Sequence, residues 1–118
     1  METYEVIEKD PEGNDRVVVI NKQDVKYVGI LKNQIYFEMH NGQTYYLPDS
    51  MADMELIFPE SAGFVRVDRM SIVNQARITF FDEKEGDIYF DEPVVHKKNF
   101  VASAPSYRKR LIARLKKD

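Results

Sequence analysis

The sequence of 118 residues contains no cysteine and no tryptophan, and its two histidines are His40 and His96. Without cysteine the chain cannot form a disulfide, a thiolate metal site or a cysteine nucleophile. No apolar run approaches the roughly 18–20 residues that a membrane span needs, and the acidic N-terminus differs from a signal peptide. These absences fit a cytoplasmic protein, for which we expect no membrane partner.

Motifs of the common catalytic and cofactor sites are also missing. Neither His40 nor His96 lies at a metal-ligand spacing, and there is no nucleophile elbow, glycine-rich phosphate loop or zinc-protease motif. The acidic stretch that begins at Asp82 fails as a calcium loop, because Gly86 falls one position before the glycine that the motif needs. The sequence therefore predicts no enzyme activity, no cofactor and no metal, and a solvent-facing position for each histidine.

Charge is distributed unevenly along a chain whose net charge is −3. Residues 97–118 contain eight basic residues and one acidic residue, a balance of +7. Residues 1–96 contain nine basic and 19 acidic residues, a balance of −10. The basic segment is either a solvated, lysine-rich end or a surface that attracts a negatively charged partner such as nucleic acid.

Most of the chain carries the pattern of β-strands, because short β-branched and aromatic runs are separated by turn sequences. The candidate strands are "TYEVIE", "RVVVIN", "DVKYVGILKN", the two arms of "QIYFEMHNGQTYYLP", "FVRV", "RITFFDE", "IYFDEP" and one or two within "VVHKKNFVAS". The pair Asn41-Gly42 indicates a tight hairpin turn, since both residue types tolerate positive φ values.

Two segments carry the pattern of a helix. In "PDSMADMELIF", Asp49 or Ser50 is a candidate N-cap and Pro59 ends the helix. The other is a basic amphipathic helix over about 105–117, with Ser103 as its candidate cap. With 43% apolar residues, the chain can form one core. The sequence thus predicts a single, mainly β domain spanning 1–118, with stacked sheets, one short internal helix and a C-terminal helix.

The segment "FVRVDRMSIVNQARI", from Phe64 to Ile78, resembles the signature of the LytTR-type DNA-binding domain, approximately F-x-R-x-H-R-S-[YF]-[LI]-V-N-x-x-x-I. The residues that match in order are Phe64 or Val65, Arg66, Arg69, Ile72, Val73, Asn74 and Ile78. The segment "DVKYVGILKNQIYFEMHNGQTYYLPDSMADMEL" resembles the strands, turn and short helix that precede the signature, so the resemblance covers about residues 16–110.

Three positions depart from the pattern of the family. Asp68 stands where the family usually has histidine, and Met70 stands where it has a small serine. The family commonly has an arginine soon after the serine that matches Ser103, whereas here the next arginine is Arg108.

The resemblance implies a stack of small antiparallel sheets, a β-β-β sandwich, that binds double-stranded DNA through loops between strands. These loops enter successive major grooves from one face of the duplex. Contacts are expected at the loop Lys32-Asn33-Gln34, at Arg69 in the base-reading position, and near Ser103. The implied function is sequence-specific DNA binding by a bacterial transcription regulator at paired direct-repeat sites, with a homodimer on the DNA. The chain is then either a stand-alone regulator or the output domain of a response regulator.

Several of these residues have two interpretations each. Arg69 either makes a bidentate contact to guanine, worth ~1–3 kcal/mol of discrimination, or forms a surface salt bridge with Asp68. Arg66 either supports the loop or reaches a phosphate, and Asn33 either reads an adenine edge or stabilises a turn. Asn74 is interpreted as structural, through side-chain hydrogen bonds that tie a turn.

Attraction to phosphates, independent of sequence, is assigned to basic side chains. They are Lys32 and the C-terminal cluster Lys97, Lys98, Arg108, Lys109 and Arg110. Two alternatives stay open. One is a non-enzymatic protein-interaction module of the same fold that has lost DNA binding, which Asp68, Pro105 and the acidic body favour. The other is a weak association of the C-terminal helix with a membrane surface.

Overall fold

The computed structural model describes residues 2–90 and 100–116, and these residues are mainly β, as the sequence predicts. The strands are β1 (Thr3–Glu8), β2 (Arg16–Asn21), β3 (Val25–Leu31), β4 (Gln34–Met39), β5 (Thr44–Leu47), β6 (Phe64–Asp68), β7 (Ser71–Asn74), β8 (Phe80–Asp82), β9 (Asp87–Tyr89) and β10 (Phe100–Ala102). The helices are α1 (Met51–Ile57) and α2 (Pro105–Leu115). Single 3-10 turns occupy Lys22–Asp24, Glu60–Ala62 and Gln75–Arg77. Residues 91–99, which hold the end of the candidate strand "IYFDEP" and the start of "VVHKKNFVAS", lie outside the described residues.

The described strands form two antiparallel sheets. The large sheet has the order β2-β1-β5-β4-β3-β7-β6, and the small sheet has the order β10-β9-β8. Two packed antiparallel sheets with two helices confirm the predicted fold class. A single bridge between Ile7 and Tyr46 joins the N-terminal hairpin to β5. Pairing of β3 with β7 places the β3–β4 hairpin beside the β6–β7 hairpin.

The hairpin around Asn41-Gly42 is confirmed, but its turn differs from the prediction. The loop spans residues 40–43 and is closed by hydrogen bonds from Met39 N to Gln43 O (2.9 Å) and from Gly42 N to Met39 O (3.0 Å). Within this loop only Gly42 has a positive φ, 92°. One left-handed glycine closes this loop, whereas the predicted tight turn has positive φ values at both Asn41 and Gly42. His40 is exposed, as predicted, and His96 lies outside the described residues.

The first core lies between α1 and one face of the large sheet. Phe58, which follows α1, is buried, and its ring centroid lies 5.9, 5.8 and 5.0 Å from those of Tyr4, Phe37 and Phe64. These edge and tilted contacts are the geometry that aromatic pairs prefer. Ser50 caps α1, since its Oγ accepts a hydrogen bond from Asp53 N at 3.2 Å.

The second core lies on the other face of the large sheet, under the small sheet and α2. Its buried residues are Val65, Val67, Val73, Ile88, Phe90, Val101 and Leu111. Helix α2 runs along β6 in the opposite direction: Ala104 N donates to Val67 O at 2.8 Å, and Arg114 Nη2 donates to Glu60 O at 3.1 Å. The Ser103 cap was a wrong prediction, because the N-cap is Ala104 and the Ser103 hydroxyl donates to Gly86 O instead.

Asn74 is fully buried at the end of β7 and joins three segments. Its Nδ2 donates to Gln23 O at 3.2 Å and to Val25 O at 2.9 Å, and its Oδ1 accepts from Ala76 N at 3.1 Å. Both polar atoms are therefore paired, which is what allows an amide inside a core. The structural interpretation of Asn74 is confirmed.

We expect Asn74→Ala to lower the free energy of unfolding by about 2–3 kcal/mol, because the buried carbonyl of Val25 loses its donor. Urea unfolding followed by circular dichroism measures the loss. Asn41→Ala is the matched control, since Asn41 is exposed in the hairpin loop. An equal loss for the two variants would contradict the bridging role of Asn74.

Candidate nucleic-acid interface

Lys32 and Asn33 form the tip of the β3–β4 hairpin, where Leu31 pairs with Gln34 across the turn. Their φ values are 51° and 63°, so both residues are left-handed, as a type I′ turn requires. Asparagine tolerates this conformation, whereas lysine pays roughly 1–2 kcal/mol for it. Both side chains are exposed at the tip. The turn therefore presents a cation and an amide to whatever lies beyond the end of the sheet.

Arg69 and Met70 form the tip of the β6–β7 hairpin, where Asp68 pairs with Ser71. Both tip side chains are exposed. Behind the tip, the guanidinium of Arg66 donates from Nε to Asp68 O at 3.1 Å and from Nη2 to Arg69 O at 2.5 Å. Its Nη1 forms an ion pair with Glu55 of α1. Arg66 thus contacts the backbone of the turn, while the side chain of Arg69 extends into solvent.

The two tips lie side by side at one end of the large sheet. Gly29 of β3 pairs with Ser71 of β7, so the hairpins are neighbours and their turns leave the sheet in the same direction. From the spacing of adjacent strands, the hairpin axes are about 10 Å apart. Strand β3 continues to Leu31, two residues beyond Gly29, so its tip extends about 7 Å further. The structure therefore brings Lys32 and Asn33 to the same end of the sheet as Arg69.

The third expected contact region, at Ser103, lies on the other side of β6. Ala104 N donates to Val67 O, which places this junction next to the β6–β7 hairpin. The three regions therefore form a row across the end of the molecule, with Arg69 in the middle.

Ser103 itself is 5% exposed, and its contacts are internal. Its N and Oγ donate to Gly86 O at 2.8 and 2.7 Å. The guanidinium of Arg108 donates from Nη2 to Ser103 O at 2.9 Å and packs directly over Gly86, where a Cβ atom would overlap it. Ser103 and Arg108 thus hold the β8–β9 turn to the start of α2.

The basic residues of the C-terminal segment are not all placed at this end. Lys109 is exposed on α2, and Arg110 forms an ion pair with Glu60 farther along the helix. Lys97 and Lys98 lie outside the described residues. Sequence reasoning missed Lys9, whose Nζ donates to the side chain of Gln34 at 2.6 Å, next to the β3–β4 tip. No local pattern marks Lys9, because the two residues are 25 positions apart in the chain.

Two tyrosines support the base of the β3–β4 hairpin. The rings of Tyr27 and Tyr36 meet edge to face at a centroid distance of 6.1 Å, and the Tyr36 ring lies over Gly29. Burial raises the pKa of Tyr27, and burial also raises the pKa of Tyr36. Both phenols therefore stay neutral at physiological pH and serve as packing groups.

The described residues, 2–90 and 100–116, contain neither a cluster of metal ligands nor a membrane-spanning helix. In that part of the chain no group of three or more His, Asp or Glu side chains is placed to hold a metal ion. In the same part, neither helix has the length and apolar character to cross a membrane.

Comparison with known proteins relates the chain to a family model and to solved structures. A family model described as the LytTr DNA-binding domain matches residues 15–116. A solved LytTr DNA-binding domain from Bacillus cereus superposes with a TM-score of 0.70, covering 95% of this chain and 96% of its own, at 18% sequence identity. At that identity the structural match concerns the fold alone. No curated protein matches the sequence.

Proposed function

The chain belongs to the LytTr DNA-binding domain family, and we propose that it binds double-stranded DNA in a sequence-specific way through its β3–β4 and β6–β7 turns. Membership supports DNA binding in transcription regulation as the general function. The finer proposal is that these turns enter the major groove, as loops of a bacterial transcription regulator or response-regulator output domain. We propose a non-catalytic mechanism without a cofactor.

The observation that carries this proposal is the position of two exposed hairpin tips at one end of one sheet. The major groove is about 12 Å wide and admits a two-stranded β-ribbon, so a two-residue tip fits into it. Lys32, Asn33 and Arg69 are exposed at these tips, with the apolar side chains of Leu31 and Met70 exposed beside them, whereas the inward-facing residues of both hairpins pack into the cores. The end of the sheet therefore presents cationic and polar groups, flanked by two apolar side chains, on a rigid support.

The proposed roles follow from the exposure, chemistry and described contacts of each side chain. Arg69 reads a base edge, and Asn33 reads a base edge beside it. Lys32 and Lys9 attract phosphates near the β3–β4 tip. Further cations for the phosphates are Lys97, Lys98 and Lys109. Ser103 and Arg108 already contact the protein, so their contribution is to shape the third region of the row.

We also propose paired direct-repeat sites that hold two copies of the domain, as a homodimer on DNA in the cytoplasm. The membrane-surface alternative loses support from the packing of α2. Leu111 is fully buried, and Leu115 packs against the second core. The apolar stripe of the helix therefore faces the sheet and is not available for a lipid surface.

Selection from a random duplex pool followed by sequencing tests the proposed function. We expect enrichment of one motif, which appears twice in the same orientation if the paired direct-repeat proposal holds. A pool selected with the Arg69→Ala variant is the control and should lose preference at one or more positions of the motif. A wild-type pool that stays random would overturn sequence-specific binding and favour the protein-interaction module.

Lys32→Ala is expected to weaken binding to selected and random duplexes about equally. It should reduce the slope of log affinity against log salt by about 0.9, the value for one lost phosphate contact. Fluorescence anisotropy at several salt concentrations measures both quantities. The control is Lys116→Ala, because Lys116 follows α2 at the end away from the tips. A Lys32→Ala slope equal to the wild-type slope would remove Lys32 from the interface.

A further inference from the structure

The geometry points to Glu55, on the outer helix α1, as a positioning residue for base recognition that acts through Arg66. This inference rests on the proposed function, and it goes beyond it because neither residue needs to touch DNA. The chain of contacts runs from Glu55 to the Arg66 guanidinium and from there to the backbone on both sides of Arg69.

All three nitrogens of the Arg66 guanidinium are engaged. Nε donates to Asp68 O, Nη2 donates to Arg69 O, and Nη1 pairs with the carboxylate of Glu55. A guanidinium is planar and presents its donors in a fixed fork. Its three acceptors therefore define its position, and a shift toward a DNA phosphate would break at least one of these contacts.

The two carbonyl acceptors belong to the two peptide planes that flank the Cα atom of Arg69. Asp68 O lies in the plane before Arg69, and Arg69 O lies in the plane after it. Because peptide planes are rigid, holding both planes holds φ and ψ of Arg69, and hence the direction of its Cα–Cβ bond. The side chain that reads the base then starts from a fixed point, which lowers the entropy lost when it binds.

Glu55 supplies the third fixed point of this arrangement. It belongs to α1, whose Met51 and Met54 are buried in the first core, so the carboxylate is anchored to the body of the domain. Without it, one arm of the Arg66 guanidinium is released, and the turn is held by an arginine that can rotate. The side chain of Glu55 is 47% exposed, so we assign it little part in stability.

Two variants test this role: Glu55→Gln, which removes the carboxylate charge, and Arg66→Lys, which keeps the charge but offers a single nitrogen. The quantity measured is the discrimination ratio, the affinity for the selected duplex divided by that for random duplex. We expect each variant to lower this ratio about tenfold, since misplacing one base-reading side chain costs most of its contact. Affinity for random duplex should change by less than about threefold.

Glu60→Gln is the matched control, because Glu60 also pairs with an arginine, Arg110, but neither residue has a described contact with the β6–β7 turn. It should leave the discrimination ratio unchanged. A second readout uses the free protein: heteronuclear NOE values at the amides of Arg69 and Met70 should fall in Glu55→Gln and Arg66→Lys. In an Arg69→Ala background, Glu55→Gln should not lower the ratio further.

The alternative outcomes are distinct. An equal gain in affinity for both duplexes in Glu55→Gln, as expected from removing a negative charge near DNA, would overturn the positioning role. A wild-type ratio in Arg66→Lys would also overturn it, because a lysine can replace an arginine that only attracts a phosphate. In both cases the wild-type protein still discriminates between the selected and random duplexes, so the proposed function stands. If the wild-type protein itself shows no discrimination, the proposed function fails and this inference fails with it.

Discussion

Arg69→Ala is expected to lower affinity for the selected duplex by about 10- to 100-fold, while affinity for random duplex changes by less than about threefold. The reason is that Arg69 is exposed at a turn whose backbone is held by Arg66, so its guanidinium can be directed at one base edge. Removing it takes away the proposed base contact and one positive charge among several.

Fluorescence anisotropy with selected and random duplexes at one fixed salt concentration measures the two affinities. Arg77→Ala is the matched control, because it also removes an arginine, but one that lies after β7 at the other end of the sheet, where Arg77 pairs with Asp24. The control should affect neither affinity by more than about threefold. An equal loss on both duplexes for Arg69→Ala would show that Arg69 contacts the phosphate backbone.

The base pair at which the Arg69→Ala pool loses its preference tests which groove holds the proposed Arg69 contact. A bidentate contact in the major groove selects guanine, so the loss would fall on a G·C pair. Arg69 is, however, the middle member of the row of three regions. If the outer two regions enter successive major grooves, the groove between them is a minor groove, where arginine favours narrow A·T tracts. The sequenced pools separate these two outcomes.

Phe58→Ala is expected to lower the free energy of unfolding by about 3–5 kcal/mol. Phe58 is 1% exposed, and its ring contacts the rings of Tyr4, Phe37 and Phe64, which come from three different strands. Truncation leaves a cavity between α1 and the large sheet, and the rings around it can relax only in part. For a domain of this size the loss is a large fraction of total stability.

Urea unfolding with linear extrapolation measures the effect of Phe58→Ala. Leu56→Ala provides the comparison, because Leu56 lies in α1 two residues earlier and is 80% exposed. Its free energy of unfolding should differ from wild type by less than about 0.5 kcal/mol. A Phe58→Ala loss below 1.5 kcal/mol, about half the expected minimum, would mean that the first core repacks around the missing ring.

Features that depend on neighbouring residues could be predicted from the sequence. The strand β4 buries Ile35, Phe37 and Met39 and leaves the residues between them half-buried, as its alternating pattern predicts. The helix α1 begins after Ser50, one of two candidate caps, because a serine oxygen satisfies a free N–H group of the first turn.

The incorrect predictions concern a side chain that can donate to more than one acceptor and a turn sequence that fits more than one loop. Ser103 has the sequence signature of a helix cap, but its hydroxyl donates to Gly86, 17 residues away in the chain. The Asn41-Gly42 pair suits a two-residue turn, but the turn with two left-handed residues is at Lys32 and Asn33. Local preference does not decide between such options when strand register fixes the loop length.

The sequence by itself determined the β character of the chain, the order of its elements and the signature that identifies the family, because periodicity and motif spacing are local properties. Only the tertiary structure decided that Lys32 and Arg69 share one end, since this follows from the pairing of β3 with β7, and that Arg66 contacts the turn backbone. Strand pairing and side-chain hydrogen bonds join residues that are distant in the chain, and their choice depends on the packing of the whole domain.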